Sequence, residues 1–421
     1  MAKNSSHRMD PSDITILRNL AKRIREISET PINLERREAW YALGDLNARR
    51  PMILAETVGV PEEVVPSASL QCKEDWARQI ENGFRHTIFS FEQVQDDHVV
   101  EPYISYGWNV SLGDYGVSSQ RQYADNAGKL GSYHWEPAIR DLDADFGKLK
   151  ARKFSVNRED TENWRAMMEE VFGGILEVRL RGGYWWTTGM TIIAIDLIGL
   201  ENMMLYMYDN PQGLHRLMAF LRDDHLALID WLEKEKLFTL NNENDYTGSG
   251  SIGYTRHLPQ PDWKPGQPVR AKDLWVLSES QETVGVSPEL FEEFVFQYQQ
   301  PVIERFGLCY YGCCEPVHNR WHVLKKLRNL QRVSVSPWCD QAFMAEAIGR
   351  KYVFSRKPNP TLISCERFDE ELIREDLRQT VQVAKDCNLE IIMKDVHTLC
   401  GDPTRLGRWV SIAREVCQEV L

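Results

Sequence analysis

Cysteine is scarce and unevenly placed in this chain: nine in 421 residues, all but Cys72 lying after Leu308. That distribution excludes a disulfide scaffold of the small secreted kind. No apolar run approaches the roughly 18–20 residues of a membrane span, so no membrane partner is expected. The start, Met1-Ala2-Lys3-Asn4-Ser5-Ser6, lacks the apolar core of a signal peptide, and a cytoplasmic location is expected. Positive charge is also short, with 50 Lys and Arg against 62 Asp and Glu, a net charge of −12. A nucleic-acid groove usually carries a basic patch, so nucleic acid is not an expected partner. No Gly-x-Gly-x-x-Gly or Walker-type loop follows any strand-like run, which argues against dinucleotide and nucleotide chemistry. Tight CxxC and HExxH metal motifs are missing as well.

What the chain does have is rhythm. Residues 1–12 read as disordered. Residues 13–156 read as N-terminal helices, a first strand at Met52–Ala55 ending in Glu56, and an irregular cap rich in aromatics and glycine. From residue 157 to 421 the pattern is strand, loop, helix, repeated. Strands are expected at Ile175–Leu180, Phe238–Leu240, 274–278, Leu308–Gly312, Arg332–Ser336, Tyr352–Phe354 and Leu389–Met393. Helices follow Asn210-Pro211, Ser287-Pro288 and Asp402-Pro403, where a capping residue precedes a proline suited to the first turn. A further helical stretch is expected at Val323–Leu327. Alternation of this kind argues for a parallel sheet with helical crossovers. The strand count favours an α/β fold of the (β/α)8 TIM-barrel type, with the N-terminal part as a helical and irregular cap.

In a barrel, the loops at the carboxyl ends of the strands share one mouth, where the chemistry is placed. Six such loops are polar or reactive: Glu56; Tyr184-Trp185-Trp186; Asn242-Glu243-Asn244-Asp245; Cys313-Cys314-Glu315; Trp338-Cys339-Asp340; and Lys394-Asp395-Val396-His397-Thr398-Leu399-Cys400. Thiolate, imidazole and carboxylate are the usual ligands of zinc. Cys313, Cys400 and Glu315 are its candidate ligands, with Cys314, Glu243 and His397 for a remaining position. The alternative is that the thiols are buried small apolar groups. Glu243, Asp245 and His397 are candidates for acid–base work, or else turn and capping residues. Trp185, Trp186, Tyr311 and Trp338 would make a flat slot for a planar substrate, or else belong to the core.

The run Val286-Ser287-Pro288-Glu289-Leu290-Phe291-Glu292-Glu293-Phe294-Val295, the long helix after it, and the strand ending in a cysteine motif resemble the uroporphyrinogen decarboxylase superfamily. Within it, they resemble the branch of cobalamin-dependent methyltransferases. The resemblance covers roughly residues 160–421. It implies that Cys313 matches the cysteine of a His-x-Cys zinc pair, with Tyr311 in the histidine position, and that Cys400 stands where a distal cysteine ligand belongs. It further implies methyl transfer from a small methylated substrate, with an aryl methyl ether as the candidate, to Co(I) of a separate corrinoid protein. Zinc would then be a resident metal, and cobalamin would come on the partner. The rivals are a zinc-dependent methyl-corrinoid:thiol methyltransferase, a decarboxylase of the same superfamily, and a non-catalytic binding protein. A homodimer is compatible with all of these.

Overall fold

A computed structural model describes residues 9–123, 133–184 and 186–421. Residues 1–8 of the N-terminal tail and 124–132 of the expected cap lie outside the described residues. The strands, in chain order, are β1 (Met52–Ala55), β2 (Tyr103–Gly107), β3 (Asn109–Ser111), β4 (Gln120–Tyr123), β5 (Tyr133–Glu136), β6 (Ser155–Asn157), β7 (Glu177–Arg181), β8 (Tyr246–Gly248), β9 (Ser251–Ile252), β10 (Trp275–Ser278), β11 (Leu308–Tyr311), β12 (Leu330–Val335), β13 (Val353–Arg356) and β14 (Asn388–Met393).

Six of them form one parallel sheet in the order β1-β14-β13-β12-β11-β10. Every residue of β1, β10, β12, β13 and β14 is buried. Burial on both faces explains why β1 and β10 read as short apolar runs, whereas β12, the alternating run, buries Arg332 and Ser334 as well. Two of the three expected helix starts carry their caps; the last helix begins at Thr404, with Pro403 before it and no side-chain cap bond. Asn210 accepts a hydrogen bond from the Gly213 N–H at the head of helix Pro211–Lys234. Ser287 does the same for Leu290 at the head of helix Pro288–Phe291. That second helix runs through a π-helical turn, Glu292–Phe296, before continuing as Gln297–Ile303. The helical stretch expected at Val323–Leu327 is the single turn Trp321–Leu324.

Three features depart from the sequence expectation. Phe238–Leu240 joins no ladder. Its backbone is tied down singly: the Thr239 N–H donates to Gly182 O at 2.7 Å. The Asn241 side chain accepts from the Trp275 N–H (2.9 Å) and donates to Trp275 O (3.1 Å). In its place, β2, from the stretch expected to be irregular, pairs in parallel with β7. Among the described residues no ladder joins this pair to either edge of the six-stranded sheet, so the expected continuous eight-stranded ladder is not formed. The chain just ahead of β2 is tied to β1; the Asp97 carboxylate accepts the Ile53 N–H at 2.7 Å.

The third feature is a short antiparallel hairpin, β8–β9, held by the sheet. Its sequence is Thr247-Gly248-Ser249-Gly250-Ser251, which reads as a loop. It pairs as strands because the sheet supplies polar partners. Ser251 Oγ donates to Glu390 Oε2 at 2.9 Å, and Arg332 Nη1 donates to Ile252 O at 2.6 Å. Gly250 has φ +87°, and a Cβ there would lie 2.6 Å from Glu56 Oε1. Gly250→Ala therefore combines left-handed strain with a clash, and a loss of about 1–3 kcal/mol is expected. Urea unfolding of the variant measures it; an unchanged midpoint would show that the hairpin does not press on Glu56. Among the described residues no single helix is long and apolar enough to cross a membrane.

Candidate active site

The carboxyl ends of the sheet strands carry a dense set of ionisable groups. Glu56 follows β1, Cys313 lies just past β11, Lys357 follows β13 and Lys394 follows β14. Gly312, at φ +101°, provides the left-handed turn that brings Cys313 out of the strand. Burial works against the charge on Lys394, but the neighbouring Cys313, Asp395, Glu56 and Tyr246 together lift its pKa above the ordinary lysine value. Lys357 behaves in the opposite way. Its burial dominates, and its pKa is pushed down to about 7. Its Nζ donates to the Tyr310 hydroxyl at 2.7 Å and to Ser355 O at 3.1 Å.

Beside these ends opens a cleft of about 440 Å³. Phe84, Phe91, Tyr103 and Tyr246 give it apolar walls, and Glu56, His86, His98 and Asp245 give it polar ones. Its size, its aromatic walls and its ionisable groups suit a small planar organic molecule that carries polar substituents. A second cleft of about 310 Å³ shares Asp245 and Tyr246 with it and is lined on the far side by Tyr184, Trp186 and Trp275. Trp186 hydrogen-bonds Tyr246 across this shared wall.

His98 is the group in the main cleft best built for proton transfer. Its Nδ1 lies 2.6 Å from Asp96 Oδ2. Asp96 is fully buried and is fixed in turn by the N–H groups of Ala55 (2.9 Å) and His98 (3.1 Å). That contact commits Nδ1–H to Asp96 and leaves Nε2 for a molecule in the cleft. Burial disfavours the imidazolium, and Arg36 opposes it as well, but Asp96 and Glu56 outweigh them and raise the pKa above the usual histidine value. His86 is the contrast. Burial lowers its pKa, its Nδ1 lies 3.2 Å from Thr57 Oγ1, and its buried Nε2 has no partner among the described residues. A buried polar atom left without a partner is a natural contact for a ligand or water.

The residues predicted from sequence fall in several places. Asp245 lines both clefts; burial raises its carboxyl pKa although Arg181 lies 3.7 Å away. Glu243 is turned to Arg179, 2.9 Å away, and is about half exposed. His397 is exposed and lines neither cleft. Tyr311 is a core residue: its ring is fully buried and its hydroxyl pairs with Ser280 (2.8 Å) and Gln299 (3.3 Å). Trp338 is 66% exposed and stands beside Cys314 and Pro316, away from Trp186. Trp185 lies outside the described residues. The expected four-membered aromatic slot is therefore divided, and Phe84, Phe91, Tyr103 and Tyr246 are the aromatics that line the main cleft.

The predicted metal ligands do not meet. Glu315 is fully buried, and its two oxygens accept the N–H groups of Ser280 (2.9 Å) and Cys313 (2.8 Å). The Cys400 thiol donates to Ser364 O at 3.5 Å. Among the described residues no three His, Cys, Asp or Glu side chains gather as a metal site. The donor set present thus does not fit a three- or four-ligand zinc site. Cys313 and Cys314 do meet, Sγ to Sγ at 3.7 Å. The shared hydrogen bond lowers the pKa of Cys314 and raises that of Cys313.

His98 and Asp96 were missed because nothing marks them locally except the run Gln95-Asp96-Asp97-His98. The left-handed Gln95 (φ +58°) ends the preceding helical turn and allows an aspartate and a histidine two residues apart to face each other. A carboxylate and an imidazole at that spacing, just ahead of an apolar pair, was the available signal.

No known family profile matches the chain, and no curated protein does. Among solved structures, a methyltransferase from Methanosarcina mazei is similar over 91% of this chain and 98% of its own, at 11% identity and a TM-score of 0.48.

Proposed function

We propose that the chain is a methyltransferase that demethylates a small aryl methyl ether, the methyl group passing to a corrinoid carried by a separate protein. The observation that carries the reading is the Asp96–His98 pair, opening on an aromatic-walled cleft beside the carboxyl ends of the sheet strands. The Ser287–Phe291 motif supports the same reading through its resemblance to corrinoid-dependent enzymes. On this reading the sheet and the β2–β7 pair are parts of a barrel whose remaining joints are made by side chains.

A Co(I) corrinoid supplies the nucleophile. The chain's own residues have two tasks. The aromatic walls hold the ring so that the methyl group faces the mouth, and His98 protonates the departing oxygen. As the O–CH3 bond breaks, its electron pair stays on oxygen, and the Nε2 proton of His98 makes the neutral phenol. A proton donor with a pKa near the working pH is the effective kind, and on this reading His98 takes the role that the sequence offered to Glu243, Asp245 or His397. Asp96 positions the ring, and Asp245 and Glu56 line the wall against which the substrate oxygen would lie. No step passes through zinc.

The test mixes the purified chain, a corrinoid protein held as Co(I), and a panel of methoxylated aromatics. Phenol release matched by a change in cobalt absorbance is expected for at least one ether. A thiol methyltransferase would need a metal to activate its thiol, and would show metal content and methyl transfer to thiol. A decarboxylase or a binding protein would leave the cobalt absorbance unchanged with every ether.

A further inference from the structure

The mechanism above leaves the Cys313–Cys314 pair unused. Its thiols lie at the mouth, Cys314 exposed and Cys313 half-buried, with the sulfurs 3.7 Å apart. That is well beyond a disulfide bond of about 2.0 Å. The backbone that presents them is held on both sides: the Cys313 N–H donates to Glu315 Oε2 at 2.8 Å, and Cys313 O accepts from Ser334 Oγ at 2.9 Å. The two sulfurs are thus set side by side before any ligand arrives, which lowers the ordering cost of chelation.

Two thiols without a third donor select the ligand. A metal ion of the zinc type needs three or four protein ligands, and no such group exists among the described residues. A trivalent arsenic atom that already carries one carbon substituent has two bonds left, and two thiols satisfy it. Next to Cys314 lies an open cleft of about 540 Å³ lined by Val284, Pro316 and Trp338, with Gln281 and Glu282. Trp338 and Val284 are both exposed. This is an apolar surface where an organic substituent can lie.

We propose that Cys313 and Cys314 form a dithiol site for trivalent organoarsenicals, R–As(OH)2, with R resting against Trp338. Binding breaks two S–H and two As–O bonds, forms two As–S bonds and releases two waters. Arsenic stays trivalent, so no oxidant or reductant is involved.

Phenylarsine oxide is the probe, titrated into the full chain. One equivalent is expected to bind, to resist excess 2-mercaptoethanol, and to be released by 2,3-dimercaptopropanol. Cys313→Ser and Cys314→Ser should each lose the monothiol-resistant binding, weakening it at least 100-fold as chelation is lost. Cys365→Ser and Cys400→Ser, which change the other exposed thiols, should keep it. Circular dichroism identical to wild type shows that the serine variants are folded. Trp338→Ala should weaken phenylarsine oxide more than its methyl counterpart. Binding that a monothiol reverses in the wild type, or that survives in either serine variant, overturns the site. An equal effect of Trp338→Ala on both arsenicals overturns the part given to the cleft.

Discussion

His98→Gln is expected to slow demethylation by about 10²–10⁴-fold, the usual contribution of a positioned acid or base. Glutamine keeps a polar side chain near Asp96 but cannot deliver a proton to the ether oxygen. The pH dependence follows from the sign of the shift. The active form is the imidazolium, and its pKa lies above the ordinary histidine value. The wild-type rate should therefore be full at low pH and fall as pH rises through that raised value. Asp96→Asn removes the charge that sustains the imidazolium, so the falling limb should move to lower pH with a smaller loss at the plateau. A role in folding alone would lower the rate at every pH and leave the limb in place. His86→Gln is the control: burial lowers the pKa of that ring, and its variant should affect substrate binding but not the position of the limb.

The second large effect concerns stability. Asp97 is fully buried, and one carboxylate ties three parts of the chain together. Arg50 donates to it at 2.9 and 3.1 Å, Arg414 at 2.9 Å, and the Ile53 N–H at 2.7 Å. Its carbonyl accepts the Trp40 indole N–H at 2.7 Å. Helix Pro31–Gly44, β1 and helix Thr404–Val420 thus converge on one residue. Asp97→Ala takes the carboxylate from two guanidinium groups, which keep Pro51 O and Gln95 O, and leaves the Ile53 N–H without its acceptor. Breaking a buried ion pair costs about 3–5 kcal/mol. Arg50 and Arg414 are about one-third exposed and can turn to water, so the lower end, about 3 kcal/mol, is expected in urea unfolding. A loss below about 1 kcal/mol, the range of a surface pair, would contradict this account. Burial alone would raise the Asp97 pKa, but Arg50 and Arg414 outweigh it and hold it below the ordinary aspartate value. A depressed folded pKa means that the contribution is complete above the unfolded value and fades as pH falls through the folded one. The gap between wild type and Asp97→Ala should therefore close in acid.

Much of the sheet was legible because its strands are buried on both faces. Short apolar runs such as Val353-Phe354 and Leu389–Met393 announce themselves without a partner in view. Strands whose character depends on what they meet were not legible. Thr247–Ser251 is polar and glycine-rich, and becomes a hairpin only because Glu390 and Arg332 are there to bond it. Tyr103–Gly107 looked irregular because its pairing to Glu177–Arg181 lies far along the chain. The site shows the same division. Asp245 was legible as a carboxylate at a cleft. The zinc set was assembled from residue types, and its distances depend on turns: Glu315 turns back onto its own loop, while Cys400 reaches Ser364. The His98–Asp96 contact on which the proposed role of His98 rests follows from the left-handed turn at Gln95.

The most direct test is the dependence of the His98→Gln defect on the leaving group. Single-turnover methyl transfer to Co(I) corrinoid protein would be measured for aryl methyl ethers whose phenols span a wide range of acidity. If His98 protonates the departing oxygen, the ratio of wild-type to His98→Gln rates is large for the poorest leaving groups and shrinks toward unity for the most acidic phenols. A ratio that stays constant across the series would contradict the assignment of His98 as the proton donor. A wild-type chain inert toward every ether would contradict the proposed reaction.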